Sequence, residues 1–388
     1  GDNATDTKTS RWANAVTDDG SYWVWVPRYK YVLSDIPTEV GMAIAGKITV
    51  KFISKADQTG KSGYSTGANT EGEILTTDSA GYIIHPVFED GSNTGKNNGY
   101  ANGEWNEEIS GFWSSKYVMS MENENGNNVV TSSSMVGNVK LSTTAKMVSK
   151  PAYSSWRNIQ MGQLYQNCIN YDMENNSHLM KNSEWGAIAY LTHSQYGRNR
   201  NRIIINNTVM SGMSTNGTVN ENSGEWLMSA YNTQDGMLSS TTGNIYGIYD
   251  LMGGAFRYVS SWNRESTSSN LSTYGKALDG TVYFSKEEKS NHMKTEYNNS
   301  TTTTDGELIQ TVCRTGDAIK ETWVLNNINW FGGYTYLVPV GSVFYVRGGN
   351  IVADSATMRE GGFIGLYWAG STSGIAHEKY GFYTILTP

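Results

Sequence analysis

Cysteine, charge and long apolar runs are all scarce in this chain. Two cysteines in 388 residues, Cys168 and Cys313, are too few for a disulfide framework. Cys168 shares a helical face with Ile159, Leu164 and Tyr171, which predicts a buried thiol. Charged residues make up 17% of the chain, below the roughly 25% of ordinary domains, and the net charge is -7. That balance argues against a nucleic-acid partner, whose phosphates need clustered Lys and Arg. No run approaches the ~20 apolar residues of a membrane span, and no signal peptide is readable. The start at Gly1-Asp2-Asn3 reads as a trimmed N-terminus from which an anchor or export segment was removed.

What the chain does have is aromatic rings and uncharged polar groups. Its 25 Tyr and 12 Trp exclude disorder, because so many rings bury area. Tyr among Ser, Asn and Gly is also the makeup of recognition surfaces, although a β-rich extracellular scaffold has the same makeup. Strand patterns run over residues 22–27, 47–53, 81–88, 111–117, 247–262, 323–330, 334–340, 343–348, 362–367 and 382–386. Two helices are expected between them. Ser154 or Ser155 would cap the first, which carries Trp156, Ile159, Leu164 and Cys168. Asn182 or Ser183 would cap the second, with Trp185, Ile188, Ala189 and Leu191 on its face. Residues 54–80, 200–240 and 264–310 are rich in Gly, Ser, Thr and Asn and read as loop insertions. The order predicts one α+β domain over 21–388 after a lead-in at 1–20.

No pattern of reactive residues stands out. His85, His178, His193, His292 and His377 are dispersed without ligand spacing, so no metal and no cofactor is expected. Glu107-Glu108 and Glu287-Glu288 read as solvated turn charges.

Several segments, taken in order, resemble the formylglycine-generating-enzyme type of C-type-lectin fold. They are Tyr22-Trp23-Val24-Trp25-Val26-Pro27, residues 111–117, residues 151–159, residues 179–190 with Glu184 and Trp185, residues 247–259, and Val346-Arg347-Gly348-Gly349-Asn350. The resemblance implies irregular antiparallel sheets, two main helices and a ligand face in residues 329–382. Oxidase members of that family use a cysteine pair after the Arg-Gly-Gly strand, and residues 350–380 here contain none. The family's calcium shell maps onto Asp250, Gly253 and Ala255, but Arg257 stands where a Glu is usual. We therefore expect no calcium, with an Asp250–Arg257 ion pair doing its structural work.

The tail also resembles variable proteins written by diversity-generating retroelements, and surface or phage proteins of gut Firmicutes. That likeness implies a non-enzymatic, extracellular protein, displayed on a cell or virion, that binds a protein or glycan receptor on another cell or surface. Contact with a membrane would come only through a removed N-terminal anchor. The residues expected at the ligand face are Asn329, Phe331, Tyr334, Tyr336, Asn350, Ile351, Val352, Ala353, Asp354, Tyr367 and Trp368. Core packing competes with exposure for the rings among them. Two alternatives stay open: an enzyme of the formylglycine-generating or sulfoxide-synthase type, and an invariant structural surface protein.

Overall fold

The computed structural model describes residues 10–41, 44–55, 63–91, 103–129, 145–219, 226–302, 306–350 and 364–388. Its architecture is mixed α+β with mostly antiparallel sheets, and four α-helices occur among the described residues.

Tyr22–Pro27 forms the strand its aromatic and β-branched residues predict, with Trp23, Val24 and Val26 buried. It pairs with Asn14–Val16 on one side and Gly111–Ser115 on the other. Beyond Gly111–Ser115 the same sheet takes in Thr384–Leu386 and then His178–Leu179, so the last strand of the chain lies inside the first sheet. The expected lead-in therefore carries an edge strand of that sheet.

A second sheet is built on Phe256–Asn263. Phe344–Gly349 runs antiparallel to it, and Ile364–Thr372 antiparallel to Phe344–Gly349. Thr295–Tyr297 and Tyr380–Phe382 pair parallel with different stretches of Phe256–Asn263. A third sheet orders Lys47–Phe52, Tyr29–Ser34, Ile83–Ile84, Ile74–Asp78 and Tyr64–Ala68.

The insertions are structured where described. Residues 54–80 hold the hairpin Tyr64–Ala68/Ile74–Asp78 of the third sheet. Residues 200–240 hold the hairpin Met213–Val219/Trp226–Ala230. Residues 264–310 supply Thr295–Tyr297 and two short helices, Asn270–Tyr274 and Gly306–Val312. Polar composition did not mean absence of strand pairing, and Thr295–Tyr297 is even fully buried.

Helix α1 spans Met161–Ile169 and α2 spans Asn182–His193. Neither begins where the sequence suggested. Ser154 and Ser155 sit in β-bridges to Met210 and Ser120, and Asn158 is left-handed at φ 60°, so α1 starts only at Met161. The cap of α2 is Lys181, whose own side chain is drawn off to the Gly103 and His292 carbonyls. Glu184 folds back instead: its Oε2 accepts the Lys181 N–H at 2.8 Å while its Oε1 meets His178 Nε2 at 2.8 Å. Every residue of α2 is buried, because it lies within the main core, packed against Lys47–Phe52 and Phe256–Asn263. Polar bonds help fix it there, among them the Tyr29 hydroxyl to Ala187 O at 2.8 Å and Trp185 Nε1 to Leu366 O at 2.8 Å.

The turn before Phe256–Asn263 contains three left-handed residues, Asp250, Gly253 and Gly254. Arg257, fully buried, holds it. Its guanidinium donates to the carbonyls of Asp250, Gly253 and Ala255, and to Gly349 O at 3.3 Å. The expected side-chain ion pair is replaced by this set. The Asp250 carboxylate is occupied elsewhere, by Asn206 Nδ2 at 2.8 Å and the Gly212 N–H at 2.9 Å. Two of the supposed turn carboxylates are also paired, Glu108 with the buried Arg28 and Glu288 with Lys294.

Candidate ligand-binding face

Register sorts the second sheet into two faces. Tyr258 opposes Val346, and Val346 opposes Gly370, so these three share one face; Arg257, Arg347 and Ala369 share the other. On the Val346 face, rings from three strands converge. Phe256 stacks on Trp368 with centroids 5.0 Å apart at 25°, and Tyr380 lies 5.8 Å from Phe256 and 4.9 Å from Tyr258. The segment after residue 333 closes the side, and the result is a shallow groove of about 350 Å³ lined by Phe256, Tyr336, Val346, Trp368, Gly370 and Tyr380. Tyr334 and Tyr336 extend the flank as a stacked pair 5.9 Å apart. Glycine at 370 is required by this geometry: a Cβ there would fall 2.4 Å from the Trp368 ring.

The opposite face is a buried, hydrogen-bonded backing. Arg347 is buried, and its guanidinium donates to Asp317 O at 2.9 Å, Ala318 O at 3.2 Å, Trp368 O at 3.1 Å and Asn182 Oδ1 at 3.3 Å. It also lies 5.5 Å over the Trp185 ring. Burial pulls its pKa down to about 10, which still leaves it charged at neutral pH. Burial pushes the Asp317 carboxyl up to about 7, against the bonds from the Tyr297 hydroxyl and the Arg314 N–H. One guanidinium thus joins α2, the 314–321 segment and the strand that carries Trp368.

The sequence-predicted face residues divide sharply. Asn329, Phe331, Asn350 and Tyr367 are buried, and this corrects their reading as exposed contacts. Asn329 Nδ2 ties Thr335 Oγ1 at 2.7 Å and Tyr367 O at 2.8 Å. Phe331, left-handed at φ 63°, packs on His193 and Tyr367, and the Tyr367 hydroxyl lies 2.7 Å from His193 Nδ1. The cause is that the 327–335 segment folds under the sheet edge, with Phe331 N–H bonded to Ile44 O and Thr335 bridged to Ala369. Trp368 is also buried overall, yet its ring lines the groove. Tyr334 and Tyr336 are half-buried and stand beside it. Ile351, Val352, Ala353 and Asp354 lie outside the described residues. Sequence reasoning missed Phe256 and Tyr380, although the spacing Phe256/Tyr258 on one strand was the available signal.

Reactive groups are held back by burial. The Cys168 and Cys313 thiols are free and buried; burial pushes Cys168 up to about 12 and Cys313 further still. His85 and His193, also buried, are pulled down to about 3. Among the described residues no three of His, Cys, Asp or Glu are grouped to hold a metal. Among them, too, no helix is long and apolar enough to cross a membrane. We expect neither thiol to react with a disulfide reagent at pH 8 in the native chain, and both to react after unfolding in guanidinium. Stoichiometric labelling of the native chain would show that one of these sites opens.

No protein-family model and no curated protein matches this chain.

Proposed function

We propose that this chain is a non-catalytic binding protein of the C-type-lectin-like fold, formylglycine-generating-enzyme subtype, displayed on a cell or virion surface. Its receptor is a protein or glycan on another surface, met at the aromatic groove and its Tyr334–Tyr336 flank. The observation that carries the reading is the groove itself: stacked rings from strands far apart in sequence, open on one side and backed by a buried guanidinium. Clustered rings on a rigid support are what contact hot spots are made of. The fold assignment draws support from the turn at 250–255. The three residues that the resemblance gives to a cation shell turn their carbonyls onto the Arg257 guanidinium. Cysteine oxidation, the alternative, needs a thiolate, and burial keeps both thiols protonated. The retroelement-variable reading adds that residues of the 329–382 stretch differ between copies while the sheet beneath is kept.

An array of immobilised glycans and of extracellular protein domains tests the reading. Tyr336→Ala is expected to weaken whichever receptor binds by 10-fold or more, with Tyr336→Phe restoring most of it. The melting temperature should move by only a few degrees, since Tyr336 is half-buried. A receptor indifferent to Tyr336, Tyr334 and Tyr380 alike would place binding elsewhere. Variability has its own check: a near-copy of codons 329–382 differing at adenines, beside a reverse-transcriptase gene.

A further inference from the structure

A larger concavity, sharing no lining residue with the groove, opens where Tyr22–Pro27 of the first sheet and Lys47–Phe52 of the third meet the C-terminal end of α2. Its volume is about 590 Å³, within the ~300–1,000 Å³ of small-molecule sites. Trp12, Trp25, Phe52, Tyr196 and Tyr246 wall it, with Leu191 of α2 among the lining residues. Phe52 is 41% exposed, a large apolar ring left on the surface with its centroid 4.4 Å from that of Tyr196. Trp25 is backed by Trp113 at 5.2 Å.

Much of the polar capacity of this wall is spent within the wall. Trp12 Nε1 donates to Tyr196 O at 2.8 Å, and Asn14 Nδ2 to Trp12 O at 2.9 Å and Tyr246 O at 2.8 Å. Lys116 Nζ then binds Asn14 Oδ1 and Ile245 O. These bonds join the lead-in strand to the 196 and 246 turns without a ligand. Among the described residues that line it, Arg11 carries the one formal charge, a guanidinium 5.4 Å over the Tyr246 ring. The Arg11 guanidinium at the rim repels a further cation and attracts an anion, and the rings suit a flat apolar body.

We infer that this cavity binds a planar aromatic anion, a ring-bearing carboxylate or sulfonate whose ring lies against the Trp25 and Phe52 faces and whose charge sits toward Arg11. The probes are 1-naphthoate, its uncharged counterpart 1-naphthol, and 8-anilinonaphthalene-1-sulfonate as a displaceable reporter, titrated against the full chain with tryptophan quenching as a second signal. One molecule of 1-naphthoate should bind per chain with a Kd of about 10–100 µM. Phe52→Ala should weaken naphthoate and naphthol about 10-fold alike. Arg11→Gln should weaken naphthoate about 5-fold and leave naphthol unchanged. Ala13→Trp, at an exposed position on the rim, should abolish binding by filling the box. All three sites are at the surface, and unchanged melting temperatures confirm that the variants are folded. Absent saturation with naphthoate, or binding that survives both Phe52→Ala and Ala13→Trp, overturns the inference. Equal affinity for naphthoate and naphthol overturns it too. Tyr336→Ala must leave naphthoate affinity intact, so this site and the receptor face fail or stand separately.

Discussion

Arg257→Ala is expected to lower the stability of the folded chain by about 3–5 kcal/mol, because several buried carbonyls lose their charged donor together. Four backbone carbonyls, those of Asp250, Gly253, Ala255 and Gly349, would lose their donor at once. Each buried acceptor left unpaired costs about 1–3 kcal/mol, less wherever water enters the vacated space. The turn has its own strain to add, because Asp250 is held at φ 66° and tends to leave that conformation once its carbonyl is released. Arg257→Lys should recover only part of the loss. An ammonium brings three donors on a point charge, whereas these carbonyls surround a planar fork. Urea denaturation of the three proteins measures the series. A loss under about 1 kcal/mol for Arg257→Ala would mean that the turn is held by its other bonds, such as Gly254 N–H to Asn206 O and Asn206 N–H to Met252 O.

The strands that sequence reading located well are those whose own side chains decide the matter. Tyr22–Pro27 and Lys47–Phe52 carry β-branched and aromatic residues in alternation, and both form over the expected residues. The helix starts were missed for a physical reason: Trp156 and Ile159 lie at helical spacing, but the stretch between them is tied to other segments, Trp156 N–H to Met119 O and Asn158 N–H to His377 O, with Asn158 left-handed. The polar hairpin Tyr64–Ala68/Ile74–Asp78 escaped because its outer strand is almost wholly exposed. Backbone pairing, which sequence periodicity does not report, holds it.

The candidate site was legible as a region and not as a set of residues. Residues 329–382 do supply most of the groove, yet which rings face it depends on register and on the fold of the 327–335 segment. Asn329 and Tyr367, both within expected strands, read as contacts of the ligand face. In the structure they bond to each other's surroundings inside the core, Asn329 Nδ2 to Tyr367 O. Phe256 and Tyr380 come together only because two strands separated by more than a hundred residues pair in parallel, Phe256 against Tyr380. That contact is non-local, and no window of one sequence contains it.

Trp185→Ala should cost more than any ring on the groove. The side chain is fully buried, and a Trp to Ala change in a packed core costs about 3–5 kcal/mol through lost contact and the cavity left behind. Here the indole also donates from Nε1 to Leu366 O at 2.8 Å, and leaving that carbonyl unpaired adds about 1–3 kcal/mol. A total of about 4–8 kcal/mol rivals the whole stability of an ordinary domain, about 5–15 kcal/mol. The damage reaches the groove by a short path. Leu366 lies on the strand that carries Trp368 and Gly370, and the face of Trp185 supports the Arg347 guanidinium whose Nε holds Trp368 O. Trp185→Phe separates the two contributions, since it keeps a buried ring and removes the donor. It should lose about 1–3 kcal/mol, remain folded, and disturb receptor binding less than Tyr336→Ala does. Should Trp185→Phe prove as damaging as Trp185→Ala, the single hydrogen bond to Leu366 rather than ring packing is what anchors α2 to the sheet. Should Trp185→Ala lose under about 1 kcal/mol, the linkage from α2 through Arg347 to the groove is not rigid, and the face is presented by the sheet alone.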